Sequence, residues 1–260
     1  LLLANDALAQ ANLSKNKRSI GNAMNAMGWI MMHKGFLDSA VINLETAHQL
    51  FSEAGIPDDI ARSCINIAEV YTKQSNISTA IKYLMKGDSI CVKTNNKPFL
   101  TNIWRQLGIV YREAKDYNKS ADYFKRAMSG FMELQDYVKY VATGTSVSIL
   151  YRNLKLPDTA LAVLNRCLAI AKEKGMVPYQ VAMLEEHKAE SYFQLQKFED
   201  ALNHYTRAYQ IFVELNNKAD VAFESFTVGK TLVRLNRYAE AEKYLFQSYS
   251  LSDTLKITNY

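Results

Sequence analysis

The sequence repeats itself with a period of 40 residues, and this repeat constrains the fold more than any other feature. A small residue returns at steps of 40, 40, 40, 41 and 40, with a large residue three places after it. A second small residue follows twelve places after the first, and a second large residue sixteen places after it. The six registers agree at all four positions. The first small residues are Gly28, Ala68, Gly108, Ser148, Ala189 and Gly229.

The amino-acid composition favours an all-helical chain. The 260 residues include 10 Gly and 4 Pro, few for an all-β chain, and 48% are hydrophobic, which is enough for a core. Two helices approach closely where each presents a small residue, and one helix pair cannot bury its apolar face without a neighbouring pair. The sequence therefore predicts an all-α chain of antiparallel pairs, each with a helix A and a helix B. Helix B is expected to begin at the N-caps Asp38, Ser78, Asn118 and Asp158.

The fullest copy of the repeat runs from Trp104 to Ala127. It reads Trp-x2-Leu-Gly-x2-Tyr, then Ser120 where an Ala is preferred, then Phe and Ala. With its copies over essentially the whole chain, it resembles the tetratricopeptide-repeat (TPR) family. The resemblance implies an α-α superhelix, a TPR solenoid, as a single array over residues 1–260. Its expected parts are a partial repeat (helix B) at 1–15 and repeats at 18–57, 58–97, 98–137, 138–177, 178–218 and 219–258.

The resemblance also implies where a ligand binds. In TPR proteins the outward places of helix A line a concave groove that takes a protein or peptide. Here, Arg and Asn side chains in the first four repeats suit a carboxylate or an extended backbone, and Phe side chains in the last two suit apolar groups. The alternative is that these places are merely hydrated. The predicted groove residues are Asn22, Asn25, Trp29, Arg62, Glu69, Lys73, Asn102, Arg105, Arg112, Arg152, Glu186, Glu190, Phe193, Phe223, Phe226 and Lys230.

Some single side chains carry expectations about their surroundings. Arg105 and Arg112 are expected to be exposed, so their removal should leave melting nearly unchanged. Met32 is expected to face the groove. Cys64 and Cys91 fall near the same end of a helix pair, where buried thiols are favoured over a disulfide bond. The histidines are expected to be solvated or to line the groove: His33, His48, His187 and His204.

Other classes of function find less support. The net charge of +5 is modest, so nucleic-acid binding stays a second, less favoured alternative. Val228–Thr231 resembles the end of a phosphate-binding loop, but Glu224 stands where that loop needs another Gly. The sequence singles out no nucleophile with its base and no set of metal ligands, so we expect no enzyme activity, metal or cofactor. No apolar run of about 18 residues predicts a membrane span.

The period and the ending Ser250–Leu255 resemble a bacterial type of TPR array that forms the N-terminal sensor half of signalling proteins and transcription regulators. The resemblance implies a binding scaffold, with a histidine kinase or another output beyond Tyr260. The last helix B has no polar cap after it, so a continuation of the chain or self-association through uncapped ends is expected. A free-standing adaptor is the alternative. Periplasmic and cytoplasmic locations both remain open.

Overall fold

The computed structural model describes residues 9–11, 13 and 15–255, and the regular elements in these residues are α-helices. Most of the partial repeat expected at 1–15 lies outside the described residues. Twelve helices follow one another between Lys17 and Thr254. They are α1 Lys17–His33, α2 Leu37–Ala54, α3 Pro57–Lys73, α4 Ile77–Lys93, α5 Lys97–Glu113, α6 Tyr117–Glu133, α7 Tyr137–Asn153, α8 Pro157–Glu173, α9 Pro178–Gln194, α10 Phe198–Glu214, α11 Lys218–Arg234 and α12 Tyr238–Thr254.

The chain divides into two compact units. The first ends at Gln135 and contains α1 to α6, and the second begins at Asp136 and contains α7 to α12. Within each unit every odd-numbered helix packs on the even-numbered helix that follows it, and that helix packs on the next odd-numbered one. The predicted all-α class of paired helices is therefore confirmed. The single array and its repeat bounds stay a prediction.

Close contact between the two helices of a pair depends on the small residue of the repeat. A Cβ atom added to Gly108 on α5 would lie 2.6 Å from the Phe124 ring on α6. Gly28 and Gly229 stand at the same distance in sequence from a Leu that an added Cβ would meet at 2.5 and 2.7 Å. Ser120, where the pattern prefers Ala, donates a hydrogen bond of 2.7 Å from Oγ to the Gly108 carbonyl. The repeated pair of a small and a large residue is thus the contact that sets the spacing of the helices.

The links between helices are short, so the helices account for most of the 40-residue repeat. From α1 to α12 the links contain two to four residues, and the helices are 17 or 18 residues long. In the α3–α4 link Ser75 has a φ of 60°. The Asn76 N–H donates to the Tyr71 carbonyl at 2.8 Å, and the Ser75 N–H donates to the Thr72 carbonyl at 3.0 Å. This is a Schellman motif, which ends a helix with a left-handed residue.

The expected N-caps of the helix B segments are wrong by two positions. The Schellman motif ends a helix within two link residues. The third link residue is therefore already the N-cap of the next helix. Asn76 and Asp116 fill this place, and each accepts a hydrogen bond from the N–H three residues on. At α2 and α8 the N-cap residues are Phe36 and Leu156, and neither side chain can accept a capping hydrogen bond. The residues expected as caps lie inside the first turn: Asp38, Ser78, Asn118 and Asp158.

Met32 and His48 are core residues, contrary to expectation. Met32 is 2% exposed and packs with buried residues of α2 and α3 rather than facing a groove. His48 is 8% exposed and lies 2.7 Å from Ser63 Oγ on one side and 2.7 Å from Lys86 Nζ on the other. Burial and the nearby Lys86 lower the pKa of His48 to about 4, so the ring is neutral near pH 7.

His204 is also structural. Its Nδ1 lies 2.5 Å from Glu185 Oε2, and its ring stacks on Tyr192 with centroids 5.2 Å apart. The side chain of Glu185 is only 7% exposed. The expectation of solvated or groove-lining histidines is thus wrong for His48 and His204, while His33 is exposed. The three thiols are buried and free, and burial raises the pKa of each: Cys64, Cys91 and Cys167.

We expect Gly108→Leu to destabilise unit one, because the added side chain must occupy the space of the Phe124 ring. The cost should be about 1–3 kcal/mol or more. Ala54→Leu, at the exposed end of α2, adds the same atoms in solvent and is the control. Thermal and denaturant unfolding followed by circular dichroism measure both; equal stability of the two variants would contradict the close-contact argument.

Candidate ligand groove

The odd-numbered helices carry all the predicted groove residues, and in unit one some of them line a common cavity. The cavity has a volume of about 410 Å³ and lies between α3 and α5. Of the residues predicted at sequence level, the structure brings Glu69, Lys73 and Arg105 together here. The full lining is Glu69, Thr72, Lys73, Arg105, Gln106, Ile109 and Glu113. We call this space the unit-one cavity.

Arg105 is the least satisfied side chain of the unit-one cavity. It is half-buried, and its Nε atom is buried without a hydrogen-bond partner. Burial lowers the pKa of the guanidinium, and Glu69 opposes this shift. The group nevertheless stays charged, because the ordinary pKa of Arg is far above neutrality. The expectation of an exposed Arg105 is therefore wrong: the guanidinium is sheltered, although the side chain lines the cavity.

Two other predicted arginines are engaged within the chain. Arg62 donates to Asp59 Oδ1 at 2.8 Å and to Asn22 Oδ1 at 2.7 Å. Arg112 donates to Glu113 Oε1 at 2.8 Å, and its side chain is only 12% exposed, which again contradicts the expected exposure. A ligand that used either guanidinium would share it with a carboxylate. Their positive charge is already balanced in the free protein.

The remaining groove residues of unit one are divided between internal bonds and open surface. Asn25 accepts a hydrogen bond of 2.9 Å from Asn66 Nδ2, and Asn102 donates to a carbonyl of its own helix one turn earlier. Trp29 is 49% exposed, and its ring centroid lies 3.9 Å from that of His33. Trp29 is therefore an exposed aromatic surface on α1.

In unit two, carboxyl groups from α9 and α11 face one another. Glu186 on α9 is half-buried, whereas Glu224 on α11 is 0% exposed. Glu224 Oε2 accepts a hydrogen bond of 3.0 Å from Thr227 Oγ1. Its Oε1 atom is buried, and the Glu224 carboxyl shares a hydrogen bond with the facing carboxyl of Glu186. Glu190, one turn after Glu186, accepts a hydrogen bond of 2.7 Å from the Tyr205 hydroxyl.

The surroundings of Glu186 and Glu224 favour a bound proton. For Glu224, burial raises the pKa of the carboxyl first, and the charge of the facing Glu186 raises it further. For Glu186, burial again raises the pKa most, followed by the charges of Glu190 and Asp220, while Arg152 lowers it. Two facing carboxyl groups in a sheltered place do not both ionise readily. We call Glu186 and Glu224 the carboxyl pair.

One aromatic groove residue of unit two, Phe193, packs beside a basic side chain. Lys230 Nζ lies 4.7 Å from the centroid of the Phe193 ring, a cation–π distance. Phe193 in turn contacts Phe198 edge-on, with centroids 5.2 Å apart. Phe226 is 36% exposed and Phe223 is half-buried. Arg152 donates from Nη1 to the His187 carbonyl at 3.1 Å.

A second cavity lies away from the predicted groove. It has a volume of about 550 Å³ and is lined by α10, α11 and α12. Its Arg237 donates to Glu240 at 2.7 Å and lies 3.7 Å from Glu199. Arg237 is thus already held by two carboxylates, and Arg207 is a second cation in the lining of this cavity.

Sequence reasoning missed Glu224 as part of the groove, although the repeat contains the signal. Glu224 stands five residues before the small residue Gly229. In the other repeats that place holds Ala23, Ser63, Ile103, Thr143 and Leu184, and all of these side chains are buried. A carboxyl group at a place that the repeat always buries marks an unusual environment. Asp220 and Tyr205 were missed as well, and no comparable signal distinguishes them.

No group of three His, Cys, Asp or Glu side chains among the described residues could hold a metal ion. No helix among them combines the length and the apolar character that crossing a membrane requires.

Comparison with known proteins agrees with this geometry. Family models described as tetratricopeptide repeat match residues 180–253 and 61–91. The Arabidopsis thaliana protein Kinesin light chain-related 1 is 21% identical over 187 residues, which are 70% of this chain and 31% of that protein.

Solved structures share the fold. A signal transduction ATPase with a tetratricopeptide-repeat sensor from Pyrococcus horikoshii superposes with a TM-score of 0.76 at 16% identity, over 92% of this chain and 36% of that one. A Rap protein complexed with competence and sporulation factor superposes with a TM-score of 0.65 at 14% identity, over 95% and 65%. The chain thus spans about a third of the length of the plant relative and of the ATPase.

The paired helices and the polar faces of their odd-numbered members define an α-helical repeat protein with a candidate binding groove. Two segments of the chain match tetratricopeptide-repeat models, and the helices have the fold of tetratricopeptide-repeat structures.

We expect Glu224→Gln to remove a pH-dependent loss of stability. The folded chain keeps the Glu224 proton above the ordinary pKa of 4.5. As pH rises past that value the unfolded chain ionises first, so the free energy of unfolding falls until folded Glu224 ionises too. At about pH 8 the variant should melt about 2–4 °C above the wild type, and both should converge in acid. Glu214→Gln, exposed at the end of α10, should follow the wild type; a wild-type slope in the Glu224 variant would argue against a buried proton.

Proposed function

We propose that this protein is a non-enzymatic scaffold that binds an extended segment of a protein or peptide along the odd-numbered helices. The observation that carries the proposal is the unit-one cavity, which the charged side chains of Lys73 and Arg105 line. Most of the lining residues are outside the buried core, with Gln106 as the exception.

The chemistry of the unit-one cavity suits a peptide. Its volume of about 410 Å³ falls within the roughly 300–1,000 Å³ typical of ligand sites. Lys73 and Arg105 supply donors, Glu69 and Glu113 supply acceptors, and Ile109 supplies apolar surface. An extended backbone presents carbonyl and N–H groups in alternation, so a lining of both donors and acceptors can satisfy it. A ligand with only negative charge would meet the two carboxylates.

The same charges argue against nucleic acid. Arg62 is paired with Asp59, and Arg112 is paired with Glu113. Phosphate binding depends on cations that release their counterions, and here acidic side chains already act as those counterions. Nucleic-acid binding is the second candidate, and steep weakening by salt would be its signature.

We further propose that the chain is the sensor or interaction region of a bacterial signalling or transcription-regulatory protein. The superposition on an ATPase with a tetratricopeptide-repeat sensor supports this role, and so does the likeness to a Rap protein complexed with a factor. An output such as a histidine kinase would then lie elsewhere in the full protein. A free-standing adaptor is the alternative. Full-length sequence from the native gene decides between them, since an output domain in the same reading frame is required by the first and absent from the second.

A selection from random-sequence dodecapeptides displayed on phage tests the binding role. We expect enriched peptides whose affinity, measured by fluorescence anisotropy, falls about tenfold in Arg105→Gln and in Lys73→Gln, because hydrogen bonds to charged groups are the strong ones. Lys93→Gln, exposed at the end of α4, removes the same charge outside the cavity and should bind normally. Circular dichroism verifies that each variant is folded. If the wild type enriches no peptide, the proposed function is wrong; unchanged affinity in both cavity variants would move the site elsewhere.

A further inference from the structure

We propose that the cavity bounded by α10, α11 and α12 binds a phenol ring, the chemical group at the end of a Tyr side chain. We call this space the unit-two cavity; it has a volume of about 550 Å³ and lies away from the predicted groove. Binding here is independent of the proposed peptide-binding role of the groove. The last repeat lacks a ring that other repeats contain, and the residues that would surround this ring line the cavity.

Stacked rings recur where a helix A packs on its own helix B. The first ring stands three places after the small residue of helix A, and the second ring stands three places after the small residue of helix B. The ring centroids are 5.2 to 6.0 Å apart, and the ring planes are within 16° of parallel. Stacking of this kind stabilises a pair of rings beyond the burial of their surface. The pairs are Tyr71 with Tyr83, Tyr111 with Tyr123, and Tyr192 with His204.

The helix B of the preceding repeat covers the stacked pairs of unit one. Glu45 on α2 accepts hydrogen bonds from the Tyr71 hydroxyl at 2.9 Å and from the Tyr83 hydroxyl at 3.0 Å. One repeat later, Met85 on α4 occupies the same place, five residues after the small residue of its helix. Its Sδ atom lies 3.9 Å from the Tyr123 hydroxyl oxygen. The stacked rings of unit one thus lie between two successive B helices, with their hydroxyl groups toward the earlier one.

The last repeat keeps the surroundings of such a pair but lacks the first ring. Leu232 on α11 stands at the place of the first ring, and Tyr244 on α12 supplies the second ring. Thr206 on α10 stands at the place of Glu45. All three of these residues line the unit-two cavity. The cavity therefore lies where the stacked pairs hold their first ring.

The lining of the unit-two cavity matches the two ends of a phenol. Val228 and Leu232 provide apolar surface, and the Tyr244 ring is available for stacking. Opposite them, polar side chains of α10 line the cavity over two turns, and they can donate to and accept from a hydroxyl group. These side chains are Asn203, Thr206 and Gln210. A ring without a hydroxyl group would leave this polar wall unused.

The charges in the lining favour a ligand without net charge. Arg237 donates to Glu240 at 2.7 Å and lies 3.7 Å from Glu199, and Arg207 is the second cation. The two cations and two carboxylates of the lining therefore cancel. A phenol is neutral near pH 7, because its ordinary pKa is about 10. Such a ring reaches the cavity either as a small molecule or as the Tyr side chain of another protein.

The first test compares two small compounds on the full chain. One is p-cresol, which is the Tyr side chain as a free molecule, and the other is 4-methylcyclohexanol, which has the same heavy atoms but no planar ring. Titrations followed by NMR measure their affinities. We expect p-cresol to bind with a dissociation constant on the order of 1 mM. The saturated alcohol should bind about fivefold more weakly, because it cannot stack on Tyr244.

Leu232→Tyr returns a ring to the last repeat. The added ring should stack on Tyr244 and fill the cavity, so affinity for p-cresol should fall at least about tenfold while the melting temperature stays equal or rises. Tyr244→Leu keeps an apolar side chain at a half-buried place and should weaken p-cresol binding about fivefold. Tyr249→Leu removes a ring that is 70% exposed on α12, outside the lining, and should bind p-cresol like the wild type.

Four results overturn the proposal. The first is no binding of p-cresol to the wild type, and the second is equal binding of p-cresol and 4-methylcyclohexanol. The third is unchanged p-cresol binding in both Leu232→Tyr and Tyr244→Leu, with circular dichroism verifying that each variant is folded. The fourth is a melting temperature of Leu232→Tyr more than about 4 °C below that of the wild type, because overpacking would show that the space does not fit a ring.

A pair of peptides separates the two sources of the ring. One is a Gly-Ser dodecapeptide with a single central Tyr, and the other has Leu at that place; fluorescence anisotropy measures both. Binding of the Tyr peptide that p-cresol displaces supports a protein ligand, whereas binding of p-cresol alone supports a small phenol. Equal binding of the two peptides contradicts recognition of the ring. Arg105→Gln should change none of these affinities, so the result is separate from that for the unit-one cavity.

Discussion

The contact between a small residue on one helix and a large residue on its partner is the constraint on which the structure depends. Gly108 against Phe124 shows how little room it leaves, since a single methyl group would lie 2.6 Å from the ring. Such contacts fix the distance between the helices of a pair, and packed interiors respond to added volume with strain. They also determine which side of each odd-numbered helix does not pack on its partner. On that side the residue type can differ from repeat to repeat.

The register predicted the fold because packing uses few positions and repeats them. Individual environments were harder to predict, since they depend on neighbours from other helices. Arg105 occupies an outward place, yet α3 shelters it and Glu69 lies near it. Met32 stands one place from the packing positions and is buried by residues of α3. A helical period assigns a direction to a side chain, but not the depth of the surface that surrounds it.

The place that holds Arg105 in one repeat shows how the fold separates stability from recognition. Its counterparts are Asn25, Ile65, Thr145, Glu186 and Phe226. Polar, apolar, acidic, basic and aromatic side chains all occur there, so the contact between the two helices of a pair does not prescribe the residue type at this place. The place of Glu224 is the opposite case: the other repeats bury small or apolar side chains there, and the one acid must retain a proton or gain a partner.

The short links have a consequence for degradation. A protease must draw an extended stretch of chain into its active site, and links of two to four residues between long helices cannot supply one. Cleavage between Lys17 and Thr254 therefore requires that a helix first detach from its neighbours and unwind. The rate of nicking then measures how often helix pairs open. A bound segment that bridges several odd-numbered helices would slow every such opening, so a partner would protect the whole stretch it covers rather than a single cut site.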